Sequence, residues 1–259
     1  MEQVRFEQVS LAYDEGGPLA IQDISLSVAE NEFIAVVGPS GCGKSTLMKL
    51  VSGLTEPTEG YVYVGGRQVA GPQKCIGMAF QASNLLPWRT TLDNVMLPLE
   101  IVQPYRSQMR RQRKAFEARC RDLLARVGLA GNEDKFPWEL SGGMQQRASI
   151  CRALIHKPKL LMLDEPFGAL DAFTKEELWI MLQELWQEEP FTVILVTHDL
   201  REATFLADTV YVLSKGPGQL VARKAIEQAR PRKLEWTYTD DFARDVHELR
   251  EHIGRIRES

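Results

Sequence analysis

The strongest constraint on this chain is a run of five apolar residues, Phe33–Val37, that passes directly into Gly38-Pro39-Ser40-Gly41-Cys42-Gly43-Lys44-Ser45-Thr46. An apolar run without alternation predicts a strand buried on both faces, which is the environment of a parallel sheet. The glycines predict a loop and the residues from about Lys44 a helix. Strand, loop and helix in that order build the crossover unit of an α/β fold. The loop satisfies G-x-x-x-x-G-K-[ST], and each part has its own purpose. Glycines let successive N–H groups converge on phosphate oxygens, and the helix N-terminus adds partial positive charge. Lys44 brings a full, mobile charge, and Ser45 a hydroxyl able to ligate Mg²⁺. Cys42 reads as the filler of a variable loop position rather than as a redox centre.

Two later runs, residues 160–163 and 192–197, are likewise non-alternating and predict further parallel strands. Before and around the phosphate loop, residues 4–6, 9–13, 24–28 and 61–64 predict short strands of an antiparallel layer, with a turn at residues 14–18. Helices are expected from about 92 to 156, where Phe116, Cys120, Leu123, Leu124 and Val127 recur on one helical face. Residues 106–126 carry eight basic and two acidic side chains. With an apolar stripe already accounting for the helix and no aromatic residues interleaved for stacking, that charge reads as a solvated face rather than a nucleic-acid patch. The net charge of -4 agrees, since it supplies no global basic field. After ARPRK at 229–233 a mixed-charge helical tail is expected to run to Ser259.

The opening MEQVRFEQVS lacks a basic segment followed by an apolar one, and no apolar run approaches membrane-spanning length, so a cytoplasmic chain is expected. The four cysteines have neither paired metal spacing nor a small disulfide framework, and the histidines do not share a helical face. Chemistry is instead expected where the run LLML at 160–163 ends in Asp164-Glu165, because open α/β sheets place ligand groups at strand C-termini. One carboxylate, assigned as Asp164, can hold Mg²⁺ through water, while Glu165 acts as general base on an attacking water.

The segment LSGGMQQR at 140–147 completes the pattern. Ser141 is suited to cap a helix, and Gly142 and Gly143 permit close backbone approach to a second phosphate site. With these residues the chain resembles the ATP-binding-cassette ATPases, over residues 1 to about 225. The resemblance implies a phosphate-loop NTPase core with a mainly parallel sheet, an antiparallel β subdomain and an inserted α-helical subdomain. In that scheme the cassette occupies residues 1–230, the helical insert about 84–156, and the tail 231–259. It further implies that Tyr13 stacks on the adenine of ATP, that Gln81 senses Mg²⁺ and the attacking water, and that His198 contacts the γ-phosphate. Ser141, Gly142, Gly143 and Gln145 of one subunit would close the phosphate-loop site of a second copy in a head-to-tail pair, with Asp171 acting across the same interface.

Within the family, a lone cassette without spanning helices or a long coiled coil resembles the bacterial importer subunits at the cytoplasmic face of the inner membrane. Those serve two permeases fed by a solute-binding protein and bind no nucleic acid. LLPWRTTLDNV at 85–95, FGALD at 167–171 and LSKGPG at 213–218 resemble importers of nitrate, sulfonates and taurine, although the basic stretch 100–126 is longer than usual. Leu85, Leu86, Pro87 and Trp88 are expected to form an exposed apolar patch for a permease helix. The competing readings are a soluble nucleotide-gated clamp in nucleic-acid or ribosome processes, and a phosphate-loop kinase, which would leave LSGGMQQR without a purpose.

Overall fold

The computed structural model describes residues 1–14 and 16–258. In chain order the elements are β1 (Glu2–Ala12), β2 (Leu19–Ala29), β3 (Phe33–Val37), α1 (Lys44–Ser52), β4 (Glu59–Val64), β5 (Arg67–Gln68), β6 (Ile76–Phe80), α2 (Thr91–Ile101), α3 (Tyr105–Arg126), α4 (Gly142–Leu154), β7 (Leu160–Asp164), α5 (Ala172–Glu188), β8 (Thr192–Thr197), α6 (Leu200–Leu206), β9 (Thr209–Leu213), β10 (Leu220–Ala225) and α7 (Asp240–Glu258). They form two compact units, one of residues 1–73 with 183–259 and one of residues 74–182. The expected turn at 14–18 includes Glu15, and the expected tail includes Ser259; both residues lie outside those described.

The first unit contains two layers of strands. In one, β3 lies between β8 and β9 and runs parallel to both, with β10 antiparallel on the outer side of β9. Every residue of β3, β8 and β9 is buried, which is why those sequences do not alternate. At roughly 1.5–3 kcal/mol for each large apolar side chain removed from water, these strands anchor the unit. The second layer is antiparallel, in the order β2-β1-β4-β5. Ile24, Leu26 and Val28 of β2 point inward between exposed residues, as a half-buried sheet requires. The two short runs expected at 4–6 and 9–13 are one strand, β1, which ends at Ala12 and leaves Tyr13 beyond it. Gln8 interrupts the run in a left-handed conformation (φ 48°), and the register slips there against both neighbours, the mark of a bulge.

In the second unit β6 and β7 pair in parallel, from Ile76 opposite Leu160 to Phe80 opposite Asp164. The expected face of α3 is buried at Phe116, Cys120, Leu123 and Leu124, and Val127 is buried just after the helix. Burial pushes the Cys120 thiol up to about 12, consistent with cysteines that pack as small apolar groups. Among the described residues no helix is long and apolar enough to cross a membrane.

Candidate functional site

The site residues are distributed over both units, and each set is organised locally. In the first unit the loop after β3 turns through Gly41 (φ 78°) and Gly43 (φ 93°) into α1. A Cβ on Gly43 would lie 2.3 Å from Ile21 Cγ2, so the position needs glycine for space as well as for backbone angle. Lys44 is buried, and its Nζ donates to the carbonyls of Gly38 (2.9 Å) and Pro39 (3.0 Å), with Cys42 Sγ at 3.7 Å. Among the described residues it has no carboxylate partner. A buried cation answered only by dipoles is a site for an anion, and the direction of a Cβ on Gly41 is open space. Ser45 is exposed, with its hydroxyl available to a cation. Cys42 is packed against Gly38, where a Cβ would come within 2.8 Å of its Sγ, and burial raises its thiol above the ordinary value. It is an inert packing group, as expected.

Tyr13 stands over this loop's helix. Its hydroxyl lies 3.0 Å from Thr46 Oγ1, Lys49 Nζ lies 5.1 Å from the ring centroid, and the residue remains 55% exposed. The hydroxyl is thus fixed and Lys49 lies over the ring, with more than half of the residue's surface still open to solvent. His198 follows β8 and is exposed; the adjoining Asp199 caps α6 by accepting from the N–H groups of Arg201 and Glu202. The last turn of α6 is held by Arg232, whose side chain is 1% exposed and donates to the carbonyls of Thr204, Phe205, Ala207, Ile226 and Gln228. Sequence reasoning passed over Arg232 because its acceptors lie up to 28 residues away and carry no side-chain signal. It also missed that Gly218 abuts the phosphate loop: a Cβ there would lie 2.0 Å from the Cys42 carbonyl oxygen.

In the second unit the parallel pairing of Phe80 with Asp164 brings Gln81 and Asp164-Glu165 to the same strand ends. The Gln81 amide lies against Gly168, and the Gly168 N–H donates to the Glu165 carbonyl at 3.0 Å. Glu165 has φ 47°, a left-handed backbone that glutamate rarely adopts, and strain of that kind concentrates at functional positions. Asp171 accepts from the Thr174 hydroxyl at 2.6 Å and the Thr174 N–H at 3.0 Å, and these bonds hold its carboxyl below the ordinary value. Ser141 caps α4, with its Oγ accepting from Met144 N–H at 3.3 Å. Ser141 and Gly142 are exposed, whereas a Cβ on Gly143 would meet Thr174 Cγ2 at 2.6 Å. Gln145 donates its side-chain amide to the carbonyls of Pro137 and Leu140 and accepts from Ser83.

The expected exposed patch narrows: Leu85 is lost from it and Leu86 is half-buried. Leu85 is 9% exposed and belongs to the core, while Pro87 and Trp88 are exposed, Trp88 at 71%. Asn94 forces this division: its side chain accepts from Leu86 N–H and donates to the carbonyls of Leu86, Arg89 and Thr90, folding the segment so that one leucine turns inward.

Comparison with known proteins identifies the family. The family model described as ABC transporter matches residues 21–168. The chain is 44% identical over 210 residues to the taurine import ATP-binding protein of Yersinia pestis (strain Antiqua), covering 81% of this chain and 80% of that protein. It is 43% identical over 224 residues to the protein of that name in Escherichia coli K12, covering 86% and 85%. A solved dimeric ATP-binding cassette in a post-hydrolysis state, bound to ADP and Pi, superposes with a TM-score of 0.71 at 31% identity, covering 87% of this chain and all of that one. With the family model matching more than half of the chain and the taurine import relatives more than two fifths identical over most of both chains, the chain belongs to the ABC transporter family of ATP-hydrolysing cassettes.

Proposed function

We propose that this protein is the ATPase subunit of an importer for a small anionic or zwitterionic solute of the taurine, sulfonate or nitrate type, working at the cytoplasmic face of the membrane. The identity of more than two fifths to taurine import ATP-binding proteins, extending over most of both chains, carries this reading. Two copies, assembled head to tail, would each offer the exposed N-terminus of α4, with Ser141 and Gly142, to the phosphate loop of the other. The dimeric cassette among the relatives supports this.

The residues present suit Mg-ATP. Lys44 and the glycine N–H groups take the phosphates, Tyr13 offers a face to adenine, and Ser45, Gln81 and Asp164 form an all-oxygen donor set of the kind Mg²⁺ prefers. When bound, the ion neutralises charge on the phosphates. Glu165 accepts the proton of the attacking water, Gln81 orients that water, and His198 steadies the γ-phosphate. The cassette is proposed to span residues 1–230, with the helical part about 84–156 inserted and 231–259 as the tail. Pro87 and Trp88 would receive a permease helix.

Replacement of Glu165 by Gln tests the chemistry. The variant should bind ATP and accumulate as a dimer on sizing, with turnover reduced at least about 100-fold; near-normal hydrolysis would remove Glu165 from the role. ATPase activity of the assembled complex against a panel of sulfonates, taurine and nitrate with the cognate binding protein tests the solute class.

A further inference from the structure

Helix α4 begins at the signature residues and, further along, is fastened to β6 and the loop that follows it. The fastening starts with the backbone: a Cβ on Gly77 of β6 would lie 2.2 Å from the Ala153 carbonyl oxygen, so helix and strand touch main chain to main chain. Gln146, buried, donates to the Phe80 carbonyl at 2.9 Å. Ser83 donates to Gln145 at 3.1 Å. Arg152 then closes on two successive carbonyls, Nη2 donating to Ser83 and Nη1 to Asn84, each at 2.7 Å. Four residues after Asn84 comes the exposed Trp88, and the turn between them is tied to α2 by Asn94.

We infer that Arg152 is a positioning residue that makes the loop bearing Trp88 and the helix bearing Ser141 move as one piece. The inference deepens the importer reading and rests on it for its biological meaning. A planar guanidinium bonded to two consecutive carbonyls fixes both the position and the direction of the backbone it holds, which a single point charge does not. The loop contributes its carbonyls rather than side chains to this contact, so its sequence is left to suit the partner. A push delivered at Trp88 is then carried into α4 and arrives at its capped N-terminus, instead of being absorbed by bending of the loop. Because Arg152 touches neither nucleotide nor water in this scheme, its removal affects transmission and spares ATP binding.

The test uses Arg152→Gln, with Arg152→Lys as the milder variant should the first not fold. In hydrogen exchange on the full-length chain, Arg152→Gln should raise exchange of the amides at 83–88 by about tenfold while protection along α4 stays as in wild type. Unchanged exchange at 83–88 overturns the inference, and so does faster exchange throughout residues 74–182, which marks a merely structural role. In the reconstituted complex, stimulation of ATPase activity by the permeases should fall by about tenfold, with ATP affinity within about twofold of wild type. Full stimulation in a folded Arg152→Gln variant also overturns it. A wild-type complex that shows no stimulation counts against the importer reading, and the exchange measurement then still decides the role of Arg152.

Discussion

Replacing Arg232 with Met isolates the contribution of one buried cation to the element that follows His198. The backbone at this position is held independently, since Gln183 accepts from the Arg232 N–H at 2.8 Å and donates to its carbonyl at 2.9 Å. Asp208 loses little, because Arg230 already pairs with it at 2.9 Å while Arg232 stands 4.0 Å away. The loss therefore falls on the main-chain acceptors: Thr204, Phe205 and Ala207 served by Nη1 at 2.7–3.1 Å, Gln228 served by Nε at 3.0 Å, and Ile226 more distantly by Nη2. Counting three well-made charged hydrogen bonds at the low end of about 1.5 kcal/mol each gives roughly 4–5 kcal/mol. Methionine fills the space and no longer has a charge to desolvate, which offsets about 2 kcal/mol and leaves a net loss of about 2–3 kcal/mol. Urea unfolding followed by tryptophan fluorescence should show a lower midpoint with the slope unchanged. A loss below about 1 kcal/mol, the ordinary effect of a random substitution, would refute the idea that Arg232 secures the end of α6.

Lys44→Ala should weaken ATP binding by about tenfold or more, because the phosphates lose their charged clamp; calorimetry giving wild-type affinity would contradict the role assigned to it. Trp88→Ala should leave a folded, ATP-binding cassette whose association with the permeases is weaker by about 2 kcal/mol. A variant that unfolds without any partner would place Trp88 in the core instead. Burial pushes the His156 imidazole below its usual value, so the unfolded chain takes up that proton first as pH falls. Its stabilising contribution is complete above about pH 6.5 and declines below it towards the lower folded value, and His156→Phe should flatten that part of the stability curve. Parallel curves for the two proteins would exclude His156 as the source.

The parallel strands were legible because burial on both faces leaves a sequence no polar position: residues 33–37 and 192–197 read as strands and are buried throughout. The bulge at Gln8 was not legible, since a strand that pauses and resumes looks like two strands when only alternation is available. Ser141 could be read as a cap because the capping oxygen is local, three residues from the N–H it accepts. Leu85 could not be placed, because its burial depends on Asn94 nine residues later folding the intervening turn. Arg152 and Arg232 share the same obscurity. Both act on main-chain carbonyls, which every residue possesses, so no side-chain pattern announces their partners.

Tyr13 carries a consequence for nucleotide choice. Its hydroxyl is engaged by Thr46 and Lys49, and Lys49 lies over the ring, so in the proposed function it would meet the face of a base by stacking, with no free polar group for the base's edge. Every purine has such a face. Lys44 and the glycine loop, in contrast, would answer to phosphate charge in the proposed function. In the proposed ATPase reading, Tyr13 would therefore add stacking energy to nucleotide binding without reading the base, and the charge of the phosphates would be met at the loop.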